Sequence, residues 1–277
     1  MIKLIALDMD GTLLNDEKKI TPRTYQAIQQ AKQAGVKVVL ASGRPLQGLR
    51  PYLEQLELTS DEDFVISYNG SLVQRVGSGE VIHKTTLLGS DGIFLARIAE
   101  QLGVFVHAFS AEHGLITQQH NPWTDIESSI NGMDVKEIDF ASLDANDALT
   151  KIMFVAEESV LDKAIANLPA ELREQYTVVR SAPFFLEFLN INSNKGVGVE
   201  QLAKILNLDA SQVMCAGDAD NDRHMLQYAG LAVAMGNADE EIKAMANYIA
   251  PSNKEDGVAV AIEEKVLNAL CVANSSN

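Results

Sequence analysis

The sequence predicts an α/β fold: a doubly wound, mainly parallel sheet with an α+β segment inserted into it. Three observations carry this. Residues 1–70 alternate short apolar strands with helices, the alternation resumes near residue 196, and between 84 and 189 it is lost. One core is therefore built from both ends of the chain, which sets the expected domains at 1–83 with 190–277, and 84–189 between them. A length of 277 residues suits a main domain with an insertion better than one ordinary domain.

The elements follow in order. Residues 2–7 are a nearly continuous apolar run, the pattern of a strand buried on both faces. A helix comes next, with Thr21 as its cap, Pro22 in its first position and Gly35 after its last turn. A second buried strand, 36–41, stops at Ser42-Gly43-Arg44, and an amphipathic stretch runs to Leu58, with Pro51 at its start or kinking it. Residues 64–68 form a third strand, and the runs flanking Gly77-Ser78-Gly79 read as a hairpin. In the middle, helices are expected at 91–102 and 160–168, and strands at 105–109, 115–117, 151–156 and 184–189. Alternation then returns: helix 196–206, strand 212–217 ending at Asp218, helix 222–228, strand 231–234, helix 239–246, strand 248–250 and helix 257–270. Residues 273–277 read as a frayed tail.

A net charge of −16 disfavours nucleic acid and anionic membranes as partners. An anionic substrate would need local positive charge from a metal ion or a buried lysine. Cys215 and Cys271 lack metal-type spacing, and a reducing cytoplasm fits them. The apolar start is interrupted by Asp8, so it reads as neither signal peptide nor membrane span.

Side chains two apart on an extended chain point the same way, so Asp8 and Asp10 are expected to converge beyond the carboxyl end of the first strand, where open α/β sheets bind ligands. Two carboxylates so close call for a hard divalent cation, magnesium first, although Asp-Gly also suits a plain turn. Ser42 and Gly43 close the second strand, where a hydroxyl and backbone N–H groups can hold a phosphoryl oxygen. Lys195 opens a helix, where a positive charge opposes the dipole; beside Asp8 and a phosphate it would neutralise developing charge, and otherwise it is a solvated loop lysine. Asp218 is the first polar side chain past strand 212–217 and is placed on the metal. Asn221 and Asp222 start the next helix, as ligand supports or as ordinary acidic capping.

Together Asp-x-Asp-Gly-Thr at 8–12, Ser42, Lys195 and Gly-Asp-x-x-Asn-Asp at 217–222 resemble the four motifs of the haloacid dehalogenase-like hydrolases. Ser67-Tyr68-Asn69-Gly70, the segment 181–188 and Asn194-Lys195-Gly196 are similar to the Cof-type branch. The resemblance implies a HAD-like core with a C2-type cap at 84–189 that closes over the core and excludes water. It implies Asp8 as the phosphorylated nucleophile and Asp10 as general acid and base, with the Asp10 backbone carbonyl on magnesium. Ser42, Lys195 and Asn221 become phosphate-binding, Asp8, Asp10 and Asp218 metal-binding, and Asp222, Gly43 and Gly11 supporting.

The expected function is a magnesium-dependent phosphomonoesterase of small phosphorylated metabolites, sugar phosphates among them, in a monomer or homodimer. Arg180, Ser181 and Glu187, with His107 and His120, are the cap candidates for recognising the leaving group; Phe184, Phe185 and Phe188 read as cap core. Three rivals stay open. A phosphorylated receiver leaves Asp10 and the insertion without a task. A sugar-phosphate sensor would have lost the reaction, and a phosphomutase shares the covalent intermediate.

Overall fold

The computed structural model describes residues 1–269; Leu270, Cys271 and the tail 273–277 lie outside the described residues. The chain forms two units, Met1–His83 with Asn194–Asn277, and Lys84–Ser193. The first segment carries β1 (Leu4–Leu7), α1 (Pro22–Gln33), β2 (Lys37–Ala41), α2 (Leu46–Gln55), β3 (Phe64–Ser67), β4 (Leu72–Arg75) and β5 (Val81–Lys84). The middle carries β6 (Leu87–Leu88), α3 (Gly89–Leu102), β7 (Phe105–Ser110), β8 (Gly114–Thr117), α4 (Pro122–Asn131), β9 (Val135–Glu137), β10 (Ala148–Val155), α5 (Glu158–Ala166), α6 (Leu172–Gln175), β11 (Tyr176–Ala182) and β12 (Phe185–Asn190). The return carries α7 (Lys195–Ile205), β13 (Val213–Gly217), α8 (Arg223–Tyr228), β14 (Leu231–Ala234), α9 (Glu240–Met245), β15 (Tyr248–Ile249) and α10 (Gly257–Ile262).

In the first unit the strands lie in the order β15-β14-β13-β1-β2-β3-β4-β5. Pairing is parallel from β15 through β3, and β4 adds antiparallel to β3. β1 sits inside this sheet, so all four of its residues are buried, which is why it reads as a continuous apolar run. Thr21 caps α1, its Oγ1 accepting from Thr24 N, and Pro22 occupies the first turn. Pro51 lies inside α2 without ending it. The strand order reverses about β1: the chain goes β1, β2, β3 to one side and returns as β13, β14, β15 on the other. That reversal is a topological switch point, and it falls where Asp8 leaves β1.

The second unit is a mixed sheet in the order β11-β12-β10-β7-β8-β9, with β6 also paired to β10. It ends at Ser193, beyond the expected limit of 189, because Asn190 Nδ2 donates to the Thr86 carbonyl (2.9 Å) and Ser193 Oγ to that of Thr85 (3.3 Å). One core of this unit gathers Val106, Ala108, Ile152, Phe154, Leu186 and Phe188 of the sheet with Leu95 of α3 and Leu161 of α5. Among the described residues, no helix is long and apolar enough to cross a membrane.

Candidate active site

β1 and β13 are parallel neighbours in register, Leu7 opposite Ala216, so the residues that follow them emerge side by side. The Asp8 N–H donates to the Ala216 carbonyl (3.1 Å), and Asp218 lies just past the end of β13. Asp222 arrives one short turn later. Its Oδ2 accepts from the backbone N–H of Asp218 (3.0 Å) and of Ala219 (3.1 Å), so the loop winds around its carboxylate. Position 217 must be glycine for this, since a Cβ there would stand 2.5 Å from Asp222 Cβ. Position 11 is constrained twice: its φ of +85° suits glycine, and a Cβ would stand 2.3 Å from Asp218 Oδ2. Thr12 Oγ1 donates to Asp218 Oδ1 (2.7 Å) and fixes that carboxylate from the other side.

Asp8, Asp218 and Asp222 each bring a carboxylate oxygen within 4.8 Å of the others. Into this group comes Lys195, fully buried at the start of α7, with Asn194 as the helix cap. Its Nζ donates to Asp8 Oδ1 and to Asp222 Oδ1 (2.7 Å). Three carboxylates stand against one ammonium, so with all three ionised two negative charges would go uncompensated. Burial, with Asp222 and Asp218 adding to it, pushes the Asp8 carboxyl up to about 8 against the pull of Lys195. Burial likewise takes Asp218 up to about 6, opposed by the Thr12 hydroxyl. Burial works against the charge on Lys195, but Asp222 and Asp8 together hold it as an ammonium. The group fits a divalent cation: its donors are hard oxygens, with no sulfur or ring nitrogen among them, and its surplus charge equals that of the ion. Asp222 already receives three hydrogen bonds, which leaves Asp8 and Asp218 as the freer donors.

The Asp10 side chain departs from expectation. It does not join Asp8 in the three-carboxylate group; instead Lys18 Nζ (2.7 Å) and Arg44 Nη2 (2.8 Å) take its oxygens. Burial alone would raise its carboxyl, but these two cations hold it below the usual carboxylate range. The two side chains diverge because the chain turns after Asp8, where Leu13 N–H returns to the Asp8 carbonyl and Leu14 N–H to that of Met9. Ser42 is buried at the end of β2, with Oγ accepting from Arg44 N (3.2 Å). Gly43 lies against Asn69, and Asn221 Nδ2 donates to Asn69 Oδ1 (3.3 Å). Sequence reasoning gave no role to Lys18, Arg44, Thr12 or Asn69. Only Thr12 and Asn69 had a visible signal, as members of motifs.

In the second unit Glu187 is corrected as a recognition residue. It is buried, and its Oε1 accepts from Lys151 Nζ (3.0 Å), which also reaches Glu127 (3.3 Å). His107 is also buried, between Thr124 Oγ1 (2.9 Å) and Met153 Sδ (3.0 Å); burial, then Lys151, push its imidazole down to about 3, so it stays neutral. Arg180 is exposed and holds Asp162 (2.7 Å) and the Pro183 carbonyl (2.7 Å), and Ser181 is exposed beside it. His120 is exposed and paired with Asp125. Phe185 and Phe188 are buried, and Phe184 packs edge-on against Phe185.

Fold and acidic cluster together define the class: a doubly wound α/β protein whose carboxylates at the switch point could hold a divalent cation. The chain belongs to the haloacid dehalogenase-like hydrolases, whose family description matches residues 5–262. It is 42% identical to the candidate phosphatase M6_Spy0533 of Streptococcus pyogenes serotype M6, over 96% of this chain and 99% of that one. It is 41% identical to the candidate phosphatase YxeH of Bacillus subtilis, over 96% and 99%. It is also 30% identical to the 5-amino-6-(5-phospho-D-ribitylamino)uracil phosphatase YitU of Bacillus subtilis, over 94% and 96%. Among solved structures, a haloacid dehalogenase-like hydrolase from Bacteroides thetaiotaomicron superposes with a TM-score of 0.81 at 31% identity, covering 95% of this chain and 99% of that one. The subclass IIB sugar phosphatase BT4131 superposes with a TM-score of 0.76 at 26% identity, covering 94% and 98%. The chain is a Cof-type, subclass IIB phosphatase of small phosphorylated metabolites, with the mixed-sheet unit as its C2 cap.

Proposed function

We propose that this protein is a magnesium-dependent phosphomonoesterase that cleaves alkyl phosphates of polyhydroxylated metabolites, sugar phosphates among them, through a phospho-aspartate at Asp8. The gathering of three carboxylates around one buried lysine carries this reading. Asp8 and Asp218 would hold the cation, joined by the backbone carbonyl of Asp10, with Asp222 fixing the loop behind them. When bound, magnesium supplies positive charge that lets an anionic phosphoryl group approach an anionic nucleophile.

An Asp8 carboxylate oxygen attacks phosphorus in line; the Asp8–phosphorus bond forms as the bond to the leaving oxygen breaks. Asp10, held here as a carboxylate by Lys18 and Arg44, would have to leave those cations and take up a proton before delivering it to that oxygen, so that the leaving group departs as an alcohol. Water then attacks the same phosphorus and gives a proton to Asp10, which frees Asp8 and inorganic phosphate. Lys195, Ser42 and Asn221 hold the phosphoryl oxygens throughout. Two names frame the substrate class: one relative is a phosphatase of a ribityl phosphate and one solved neighbour is a sugar phosphatase, and both leaving groups are polyols. Polyol alkoxides leave poorly, which is where a proton from Asp10 counts most. Selection among polyols falls to the second unit, with Arg180 and Ser181 as its exposed polar candidates. The free, buried thiol of Cys215 accords with a reducing cytoplasm.

The test is phosphate release from a panel of sugar and polyol phosphates with magnesium. Wild type should turn over several, and Asp8→Asn none. Asp10→Asn should lose roughly a hundredfold or more on these esters and less on p-nitrophenyl phosphate, whose phenolate leaves unaided. Near-normal turnover by Asp8→Asn would exclude Asp8 as nucleophile. An isomerised product with little free phosphate would point to a mutase.

A further inference from the structure

Between β3 and β4 the chain passes through three consecutive left-handed residues, Tyr68 (φ 51°), Asn69 (φ 51°) and Gly70 (φ 92°). Two adjacent non-glycine residues in this region are uncommon, and they persist only where the surroundings over-determine them. Here the surroundings are the loops of the site. The Tyr68 N–H donates to the Arg44 carbonyl (3.3 Å) and the Asn69 N–H to the Ser42 carbonyl (2.9 Å). Gly70 packs so closely on the Asn194 carbonyl that a Cβ would stand 2.0 Å from it, one residue before Lys195. The Asn69 side chain completes the set. Its Oδ1 accepts from Asn221 Nδ2 (3.3 Å), and its Nδ2 lies 3.0 Å from where a Cβ on Gly43 would be. One turn therefore touches the loop of Ser42, the loop of Asn221 and the start of the helix that carries Lys195.

We propose that Asn69 is a positioning residue for the phosphoryl-binding groups, orienting the Asn221 amide against the Ser42–Gly43 loop so that both face the same phosphoryl oxygens. The proposal rests on the phosphatase reading above. It explains why the side chain at this turn is an amide. An Asn221 amide without a partner rotates between two faces, and the bond to Asn69 Oδ1 selects one of them. Asparagine also enters the left-handed region more readily than most residues, so backbone and side chain are served together.

The experiment replaces the amide while keeping the backbone. Asn69→Gly adopts the left-handed conformation without steric cost and has no side chain to hold Asn221. With p-nitrophenyl phosphate and magnesium, kcat/KM should fall by about tenfold to a hundredfold, and inhibition by inorganic phosphate should weaken in parallel, while Tm stays within about 3 °C of wild type. Asn221→Ala and the double variant Asn69→Gly/Asn221→Ala should lose nearly the same amount, because the two residues act as one unit. If Asn69→Gly melts far below wild type, Asn69→Ala assayed well under its own melting temperature decides the same question. Wild-type kcat/KM and phosphate inhibition in the folded single variant, or losses that simply multiply in the double variant, would overturn the proposal. Neither result touches the phosphatase reading, which fails only if wild type is inert or Asp8→Asn is active.

Discussion

Removing the ammonium of Lys195 would leave Asp8 and Asp222 facing each other inside the protein with nothing between them. Taking one partner from a buried ionic group costs about 3–5 kcal/mol, because the remaining charges have no water to retreat to. Lys195→Met should therefore lower the unfolding free energy by that order in chemical denaturation without metal. It should also lower phosphatase turnover at least ~100-fold, since a charge aimed at the transferring group is lost. Added magnesium should restore part of the stability and little of the turnover. A variant as stable as wild type in the absence of metal would show that Lys195 does not balance the cluster. The place of this residue was legible only through the motif resemblance, since a lysine at a helix start, taken alone, reads as readily as a solvated loop residue. The part played by Asp222 was not. An aspartate at a helix start is ordinary, and nothing in the letters shows that this one turns back to receive Lys195 and two backbone N–H groups.

At the scale of elements, the parallel core was legible because its strands are buried on both faces and read as apolar runs, as β1 and β13 do. Helix α4 was not, although Asn121, Pro122 and Gly132 signal its ends. Its pattern is inverted. The inward residues are Thr124, Glu127 and Asn131, while Ile126 and Ile130 face outward. The cause lies in the sheet beneath it, where His107 meets Thr124 and Lys151 meets Glu127. Polar groups on the sheet demand polar groups on the helix, and a search for an apolar stripe misses both. The edge strand β11 escaped for a related reason, since its half-exposed pattern carries no buried run. The expectation that Glu187 meets a substrate fails on the same network, in which Glu187 and Glu127 are the counter-ions of Lys151. Lys151→Met should accordingly destabilise the protein by about 3–5 kcal/mol, with both glutamates left buried. Replacing all three members by apolar residues should cost less than that single change. Urea denaturation of the two variants makes the comparison, and a triple variant weaker than Lys151→Met would contradict it.

For the whole molecule, folding, protonation and metal binding are tied through the same carboxylates. Without metal, the folded protein holds the Asp8 carboxyl at about 8 and Asp218 at about 6, both above the ordinary carboxylate value of the unfolded chain. Between that ordinary value and the folded value, the folded state binds more protons than the unfolded state, so stability falls as pH rises. The contribution of Asp8 is complete at acid pH and is lost as pH climbs toward about 8; that of Asp218 is lost by about pH 6. A divalent cation replaces those protons, so it competes with them at low pH and meets little competition at high pH. Two outcomes follow for thermal melts taken from about pH 5 to about pH 9. With chelator present, these groups should pull the Tm down across that range. With excess magnesium the decline should flatten, so the metal-induced rise in Tm grows with pH. Asp8→Asn carries no such proton, and its chelated protein should show a shallower decline. A magnesium effect on Tm that is equal at both ends of the range, or largest at acid pH, would mean that the ion does not displace protons from Asp8 and Asp218, and that the charge surplus at the end of β1 is not its seat.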